Sequence, residues 1–314
     1  MRPPQHQPSR PARVMVLCCD GFYQRCLLHR AAAAFQLVGA VLQHPPRTAG
    51  RSLLARLGRY RDAGTLRRQL EARWKLPREE RKGRALQARL FAEHGSSVLL
   101  PEGMPLLHCE AINGPESVSF VRDLKPDLIL VNGTQLLREP LLSLRPEIRH
   151  GIINLHTGLS PYSRGANCNL YMILEGHLEL VGVTIHHIDP GIDSGDIIRS
   201  AQLPLEADDN FETIDVKSFH LGIELLIQAG IALLQGSAPR VAQWESGRLF
   251  LQRTGYHYEP WQRLQASRQL AAGQLQHYLA NRHQLDAAVQ LVGAGSSGPP
   301  GSGSGSGSAN GEAP

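Results

Sequence analysis

The chain has 314 residues, enough to bury a sizeable core in one large domain or in two smaller ones. With 42% hydrophobic residues, 5% aromatic residues and a net charge of +5, its composition is that of a soluble globular protein. It has no apolar run of the roughly 18 residues that a membrane span needs, and the run at 14–19 is too short for the core of a signal peptide. We therefore expect a cytoplasmic protein with no membrane partner.

The first elements predict a parallel sheet. Residues 13–19 form an apolar run, residues 24–34 are amphipathic, and residues 35–42 form a second apolar run. Strand, helix and strand at this spacing make a βαβ unit, so we expect an α/β fold. The first turn lacks a Gly-x-Gly-x-x-Gly motif, and a dinucleotide-binding fingerprint is therefore absent.

The segment at 51–94 has helical periodicity and is predicted as a basic helical insertion between the second and third strands. It carries 13 Lys or Arg residues against 5 Asp or Glu residues. Such a surface attracts phosphates, as in a nucleotide-linked substrate, RNA or the polyglutamate tail of a folate. A solvated pair of Arg-rich amphipathic helices is the alternative. The interleaved aromatic residues of a single-strand binding surface are missing, so nucleic acid is not expected as a partner.

The alternation of strands and helices continues to residue 235. Strands are predicted at 97–100, 127–132, 151–156, 180–188 and 197–204. Helices are predicted at 115–124, 139–144, 166–175 and 211–235. In open parallel sheets, ligands bind outside the carboxyl ends of the strands. The loop at 133–137 and the end of the strand at 151–156 are therefore expected to border a binding site.

The character of the sequence changes after residue 235. The predicted organisation is a disordered N-terminus at 1–12, a main domain at 13–235, a small C-terminal extension at 236–292 and a disordered Gly/Ser tail at 293–314. The extension has strand-like pieces at 238–259 and a polar helical stretch at 261–291. Because residues 244–258 suit pairing with the sheet of a second subunit, a homodimer is possible.

Two polar side chains lie at the end of the apolar run at 152–156. Asn154 and His156 are two residues apart, so on an extended segment they point the same way and reach one reacting atom. A glycine-rich turn brings in Asp193, 37 residues after the His. An amide and an imidazole hold a developing oxyanion, while a carboxylate sets the charge of the imidazole and helps to remove an amine proton. These residues suit acyl transfer to an amine.

Other chemistries are less well supported by the residues. The five cysteines are odd in number and lack zinc or Cys-x-x-Cys spacing, which predicts reduced thiols in the core. Cys168, 12 residues after His156, leaves a Cys–His nucleophilic pair as an alternative. A metal would need His156, His186, His187 and Asp193. Adjacent His186 and His187 point to opposite faces of a strand, so no metal is predicted.

These motifs together resemble the signature of the folate-dependent formyltransferases, which include glycinamide ribonucleotide, methionyl-tRNA and amino-sugar N-formyltransferases. The resemblance covers roughly residues 13–234 and is densest over 125–199. It rests on Asn154-x-His156, Leu159-x-Pro161, Arg164-Gly165, Gly182-Val-Thr184 and Asp193-x-Gly195-Asp196-Ile-Ile. It implies a Rossmann-like, mostly parallel sheet flanked by helices. The sequence departs from the usual family pattern at two places, and both shape the side of the site that takes the formyl acceptor. Gly158-Leu-Ser-Pro161 stands where the family usually has Ser-Leu-Leu-Pro, and Cys168 stands where it frequently has a Pro.

The resemblance also implies roles for the site residues. Asn154 and a protonated His156 would stabilise the oxyanion that forms when an amine attacks the formyl carbon of 10-formyltetrahydrofolate. Asp193 would hold His156 in its charged form, since a neighbouring carboxylate raises the pKa of an imidazole, and would relay the amine proton. Thr184 would support the Asp193 turn. The residues expected against the pterin are Thr134, Gln135, Leu136, Leu137, Asp189, Gly191 and Ile192.

The acceptor follows by elimination within the family. The 57 residues at 236–292 are too few for the additional domain typical of methionyl-tRNA enzymes. A glycinamide ribonucleotide enzyme usually lacks both the insertion and the extension. We therefore expect a small, phosphate-bearing amine, such as an amino-sugar nucleotide or an amine of a specialised pathway. A formyltetrahydrofolate hydrolase that releases formate and a non-catalytic folate-binding homologue are the alternatives.

Overall fold

The structure is a computed structural model that describes residues 11–44, 62–95 and 98–293. Parts of three predicted segments lie outside the described residues: 1–10 of the N-terminus, 51–61 of the insertion and 294–314 of the tail.

The described residues form a seven-stranded sheet and a small two-stranded one. The strands are β1 (Arg13–Cys19), β2 (Gln36–Gln43), β3 (Leu106–Cys109), β4 (Leu128–Asn132), β5 (Ile152–His156), β6 (Ser163–Gly165), β7 (Gly182–His187), β8 (Ile197–Gln202) and β9 (Arg248–Phe250). The large sheet has the order β3-β2-β1-β4-β5-β7-β8, and β6 pairs with β9. Strands β1 to β5 pair in parallel, whereas β7 is antiparallel to both β5 and β8. The predicted α/β fold with a mostly parallel sheet is confirmed.

Helices cover both faces of this sheet. They are α1 (Phe22–Ala34), α2 (Ala63–Leu90), α3 (Pro115–Leu124), α4 (Cys168–Glu175), α5 (Phe211–Leu234), α6 (Trp261–Gln269) and α7 (Leu275–Ala287). In β1, Val14 and Val16 belong to the hydrophobic layer of α1, α4 and α5, while Met15 and Leu17 belong to the layer of α3. A strand that is covered on both faces must be apolar at consecutive positions, and β1 therefore shows no alternation of apolar and polar residues.

The described part of the predicted insertion is one long helix, α2, followed by a short 3-10 helix at Ala92–His94. The Asp62 carboxylate caps its N-terminus by accepting from the backbone N–H groups of Gly64 and Thr65, at 3.1 and 2.8 Å. Ala72 and Leu76 are buried. Near its end, Gly83 lies against α5, where a Cβ would come within 2.9 Å of the Cβ of Glu212. The helix thus packs on the main domain rather than extending away from it.

Two predicted elements differ from the structure. The third strand is Leu106–Cys109, and residues 98–100 form no strand, while residue 97 lies outside the described part. The edge of β2 selects this register, because the N–H of Ala40 donates to the carbonyl of Pro105 at 3.0 Å. The predicted helix at 139–144 is instead a 3-10 helix at Leu142–Glu147. Pro146, inside this 3-10 helix, lacks the N–H group that an α-helix needs in its interior.

The C-terminal extension packs on its own chain. Its strand β9 pairs with β6, and Phe250 is 0% exposed between Tyr171 and Tyr256. The segment predicted to pair with a second subunit is therefore engaged within the chain at Arg248–Phe250. Helices α6 and α7 follow, joined by a π-helical turn at Leu270–Gln274.

One described helix, α5, is long and apolar enough to cross a membrane by length and composition alone. Half of its most apolar 18-residue stretch is buried inside the protein. It lies against the sheet, where Gly222 contacts Leu155 and Gly230 approaches Phe35. Its apolar character is thus accounted for by core packing.

Candidate active site

Strand β5 carries two of the predicted site residues to one edge of the sheet. The antiparallel register of β5 and β7 pairs Asn154 with His186 and His156 with Thr184. Because the side-chain period of a strand is two, Asn154 and His156 share one face, and so do Thr184 and His186. The pairing therefore brings two histidines and an amide to one place.

Asp193 lies in a tight turn between β7 and β8. Its φ of +46° is in the left-handed region, which Asp adopts more readily than most residues. The Asp189 carboxylate closes the turn by accepting from the Ser194 hydroxyl at 2.9 Å. Gly195 lets the chain return beside β7, because a Cβ there would collide with the carbonyl oxygen of His187. This turn directs the Asp193 carboxylate at the end of β5.

The three predicted catalytic residues meet at this point. His156 Nδ1 lies 3.5 Å from Asp193 Oδ2, and His156 Nε2 lies 3.2 Å from the carbonyl oxygen of Ser163. The backbone N–H of Gly165 donates to Asp193 Oδ2 at 2.9 Å. His156 is buried at 6% exposure, and Asn154 is half-buried. The imidazole is thus held between two oxygen acceptors.

Asp193 is ionised in this setting. Burial opposes its charge, but the imidazoles of His156 and His186 and the Gly165 N–H group stabilise the anion and hold the pKa of Asp193 well below its usual range. A carboxylate is therefore present near neutral pH to orient an imidazole and to stabilise positive charge on it.

His156 differs from the expectation. Burial lowers the pKa of His156 below 6.5, and this effect outweighs the opposing influence of the Asp193 carboxylate. The ring is therefore neutral at pH 7 in the free protein, rather than charged as the resemblance implies. A neutral imidazole donates only one hydrogen bond, whereas its two neighbouring acceptors would satisfy two. The pair of His156 and Asp193 is thus arranged to take up one further proton.

His186 is a site residue that the sequence reasoning considered only as a metal ligand. Its Nε2 lies 3.1 Å from Asn154 Nδ2 and 3.5 Å from Asp193 Oδ1, and its Nδ1 lies 2.8 Å from the carbonyl oxygen of His187. At 2% exposure it is enclosed. It connects the amide on β5 to the carboxylate of the turn. One feature of the sequence could have indicated this role: His186 lies two residues after Thr184 and therefore on the same face of the strand.

Thr184 has a different role from the one implied by the resemblance. Its hydroxyl accepts from the N–H of Ser160 at 2.8 Å and donates to the carbonyl of Gly158 at 2.9 Å. It therefore supports the loop after His156 rather than the Asp193 turn. Gly158 fits because a Cβ there would lie 2.6 Å from the Cβ of Cys168 and against the His156 ring. Burial raises the pKa of the Cys168 thiol, which disfavours its use as a nucleophile.

A cleft of about 800 Å³ runs past these residues. All seven residues predicted to contact the pterin line it: Thr134, Gln135, Leu136, Leu137, Asp189, Gly191 and Ile192. Two amide side chains hold the loop after β4. The N–H of Gln135 donates to Gln43 Oε1 at 2.7 Å, and Asn113 Nδ2 donates to the carbonyl of Leu136 at 3.0 Å. This loop therefore forms a fixed wall of the cleft.

A further part of the cleft lining comes from a source that the sequence did not predict, the C-terminal extension. Leu251, Gln252 and Arg253 line the cleft there. Across the described residues, no group of three or more His, Cys, Asp or Glu side chains is arranged to hold a metal ion.

Comparison with known proteins places this geometry in context. Residues 82–229 match the formyl transferase family. The methionyl-tRNA formyltransferase of Akkermansia muciniphila is 34% identical over 144 residues, 46% of this chain and 45% of that protein. The corresponding enzyme of Methylacidiphilum infernorum is 38% identical over 135 residues, 43% of this chain and 41% of that protein. A candidate sugar N-formyltransferase from Mycobacterium tuberculosis has a TM-score of 0.49 at 17% identity, covering 83% of this chain and 87% of that one.

Over residues 82–229, just under half of its length, the chain is therefore similar to the formyl transferase family. It spans less than half the length of the two curated relatives described above. The match at 82–229 includes β5, the Asp193 turn and the loop after β4, and it ends before the C-terminal extension.

Proposed function

We propose that this protein transfers the formyl group of 10-formyltetrahydrofolate to the amine of a small, phosphate-bearing acceptor. The observation that carries the proposal is the convergence of Asn154, His156 and Asp193 on one wall of a cleft. The match of residues 82–229 to the formyl transferase family supports the formyl chemistry. The acceptor is an amino-sugar nucleotide or the amine of a specialised metabolite.

The donor side of the cleft fits a flat, polar heterocycle. Leu137 is buried at its base, and Ile188 and Ile192 offer apolar contact from the turn. Backbone groups of the loop after β4 provide hydrogen-bonding edges next to this apolar surface. A cleft of this size and composition is typical of a small-molecule site, so residues Thr134 to Leu137 and Asp189 to Ile192 would hold the pterin.

The catalytic residues then have definite tasks. When bound, 10-formyltetrahydrofolate supplies an activated formyl carbon. The Asn154 amide donates to the formyl oxygen, on which negative charge develops during attack. The pair of His156 and Asp193 takes the proton that the amine loses. A bond forms between the acceptor nitrogen and the formyl carbon, the bond from that carbon to folate N10 breaks, and the proton is delivered to N10.

The cleft carries positive charge. Arg253 and Arg138 are exposed and line the cleft, and neither forms an ion pair with a described residue. A cation at the mouth of a cleft attracts an anionic ligand group. This supports a phosphate on the acceptor and a carboxylate tail on the donor.

The first experiment is calorimetric titration of the full chain with 5-formyltetrahydrofolate, a stable analogue. Saturable micromolar binding is expected. His156→Ala should retain this binding, because the pterin contacts lie on other residues, while losing turnover of 10-formyltetrahydrofolate. Absence of binding at high ligand concentration would refute the donor assignment.

A second measurement separates transfer from hydrolysis. Formate release from 10-formyltetrahydrofolate is followed without an acceptor and then with candidate amines, nucleotide-linked amino sugars first. An amine that suppresses formate release and gains a formyl group supports the transferase. Formate release that no tested amine changes would favour the hydrolase.

A further inference from the structure

The C-terminal extension reaches the candidate catalytic carboxylate from behind. Gln243 Nε2 donates to the carbonyl oxygen of Asp193 at 2.7 Å and to that of Gly195 at 3.0 Å. These two carbonyls flank the turn that aims the Asp193 side chain. The hydrogen bonds of the Asp189 carboxylate close the front of the same turn. Gln243 therefore fixes the carbonyl groups of Asp193 and Gly195, to which the Asp189 carboxylate, itself an acceptor, cannot donate.

Gln243 is itself held in place. Val241 and Ile197 exchange two backbone hydrogen bonds of 2.7 and 3.0 Å, which join the extension to β8. Arg240 Nε donates to Asp196 Oδ2 at 2.6 Å. Gln243 is thus fastened through residues two and three positions earlier in the chain. A side chain on an anchored backbone loses little further entropy when it binds, so its hydrogen bonds can be effective positioning contacts.

A second connection runs through strand β9. The N–H of Ala166 donates to the carbonyl of Phe250 at 2.9 Å, and the preceding Gly165 donates to Asp193 Oδ2. Gly165 has a φ of +102°, and a Cβ there would collide with the carbonyl oxygen of Phe250. The buried Phe250 fixes this close approach. The extension therefore sets the donor that faces the carboxylate as well as the backbone behind it.

We infer that the C-terminal extension is an integral part of the active site, with Gln243 as the positioning residue for Asp193. The inference rests on the proposed function for its catalytic meaning. Gln243 touches neither donor nor acceptor in this scheme; it acts through the Asp193 turn. Loss of its two donated bonds lets a residue in the left-handed conformation relax, which moves the carboxylate away from His156.

The test compares three variants of the full chain. Gln243→Glu keeps the shape of the side chain but replaces its two donors with acceptors, and Gln243→Leu removes all hydrogen bonding. Gln284→Leu, on an exposed position of α7, is the matched control. We expect kcat to fall on the order of 10- to 100-fold in both Gln243 variants, as for other misplaced catalytic groups. The dissociation constant of 5-formyltetrahydrofolate should change less than about threefold, because the pterin would also contact the loop after β4, which these variants leave intact.

A spectroscopic readout distinguishes positioning from general destabilisation. The His156 imidazole is titrated by NMR in the folded free protein. Because Asp193 raises the pKa of His156, its withdrawal in Gln243→Leu should lower that pKa further, while Gln284→Leu should match the wild type. An unchanged His156 titration, or an unchanged kcat, would overturn the inference. Failure of the wild type to bind folate would instead refute the proposed function, and the titration would still test the role of Gln243.

Discussion

Replacement of Asp215 by Asn should stabilise the protein, and more so at higher pH. Asp215 lies on α5, where burial and the neighbouring Glu212 carboxylate raise its pKa from 3.8 to about 6, despite the opposing charge of Arg263. A pKa that is raised in the folded state means that the protonated form favours folding. The stability that protonated Asp215 contributes is fully present below pH 3.8 and is lost as the pH rises through 6.

The magnitude follows from this difference in pKa. A shift of about two units corresponds to about 3 kcal/mol when the carboxylate is fully ionised, and to about 1.6 kcal/mol at pH 5. Asn has nearly the shape of Asp and carries no charge. Asp215→Asn should therefore raise the free energy of unfolding by up to about 3 kcal/mol at pH 8 and by about half as much at pH 5.

The assay is urea denaturation of both proteins at the two pH values, followed by circular dichroism. The control is Asp208→Asn, an exposed aspartate in the loop before the same helix. Its effect should be small and similar at both values. The reasoning would be refuted if Asp215→Asn changed stability by the same amount at pH 5 and pH 8, or if it destabilised the protein at pH 8.

Three further outcomes concern catalysis. Asp193→Asn should reduce kcat by about 10²- to 10⁴-fold, because the carboxylate that supports proton uptake by His156 is lost. Folate affinity, measured by calorimetry, should be nearly unchanged, and wild-type turnover in this variant would contradict the assigned role. His186→Ala should reduce kcat by only about tenfold, because Asp193 keeps its hydrogen bond from the Gly165 N–H. His187→Ala, on the opposite face of the strand, should retain most of the activity. Equal losses in the two variants would argue against His186 as the group that connects Asn154 to Asp193. In a pH–rate profile, turnover should be constant near pH 7 and should decrease at pH values below 6.5. Burial lowers the pKa of His156, and the neutral form of this residue accepts the proton. A rate that still rises through pH 7 would contradict this assignment.

Local sequence was sufficient where a pattern repeats over adjacent residues. The apolar runs of β1, β4 and β5 and the long amphipathic α5 were predicted within a few residues of their observed bounds. Where the pattern was weak, tertiary pairing chose the element. Strand β3 formed at Leu106–Cys109 because β2 offers its edge there, and residues 98–100 have no such partner in the described part of the chain.

The candidate site divides in the same way. The proximity of Asn154, His156 and Asp193 could be predicted because residue type and spacing can be read along the chain, and the same holds for the loop and the turn that border the cleft. His186 and Gln243 could not, since their roles depend on an antiparallel pairing of β5 with β7 and on the return of the C-terminal extension to the Asp193 turn. The charge on His156 was also a tertiary property. Sequence places a carboxylate near an imidazole, but only the packed structure decides how much water is removed from that imidazole, and desolvation determines whether it holds a proton.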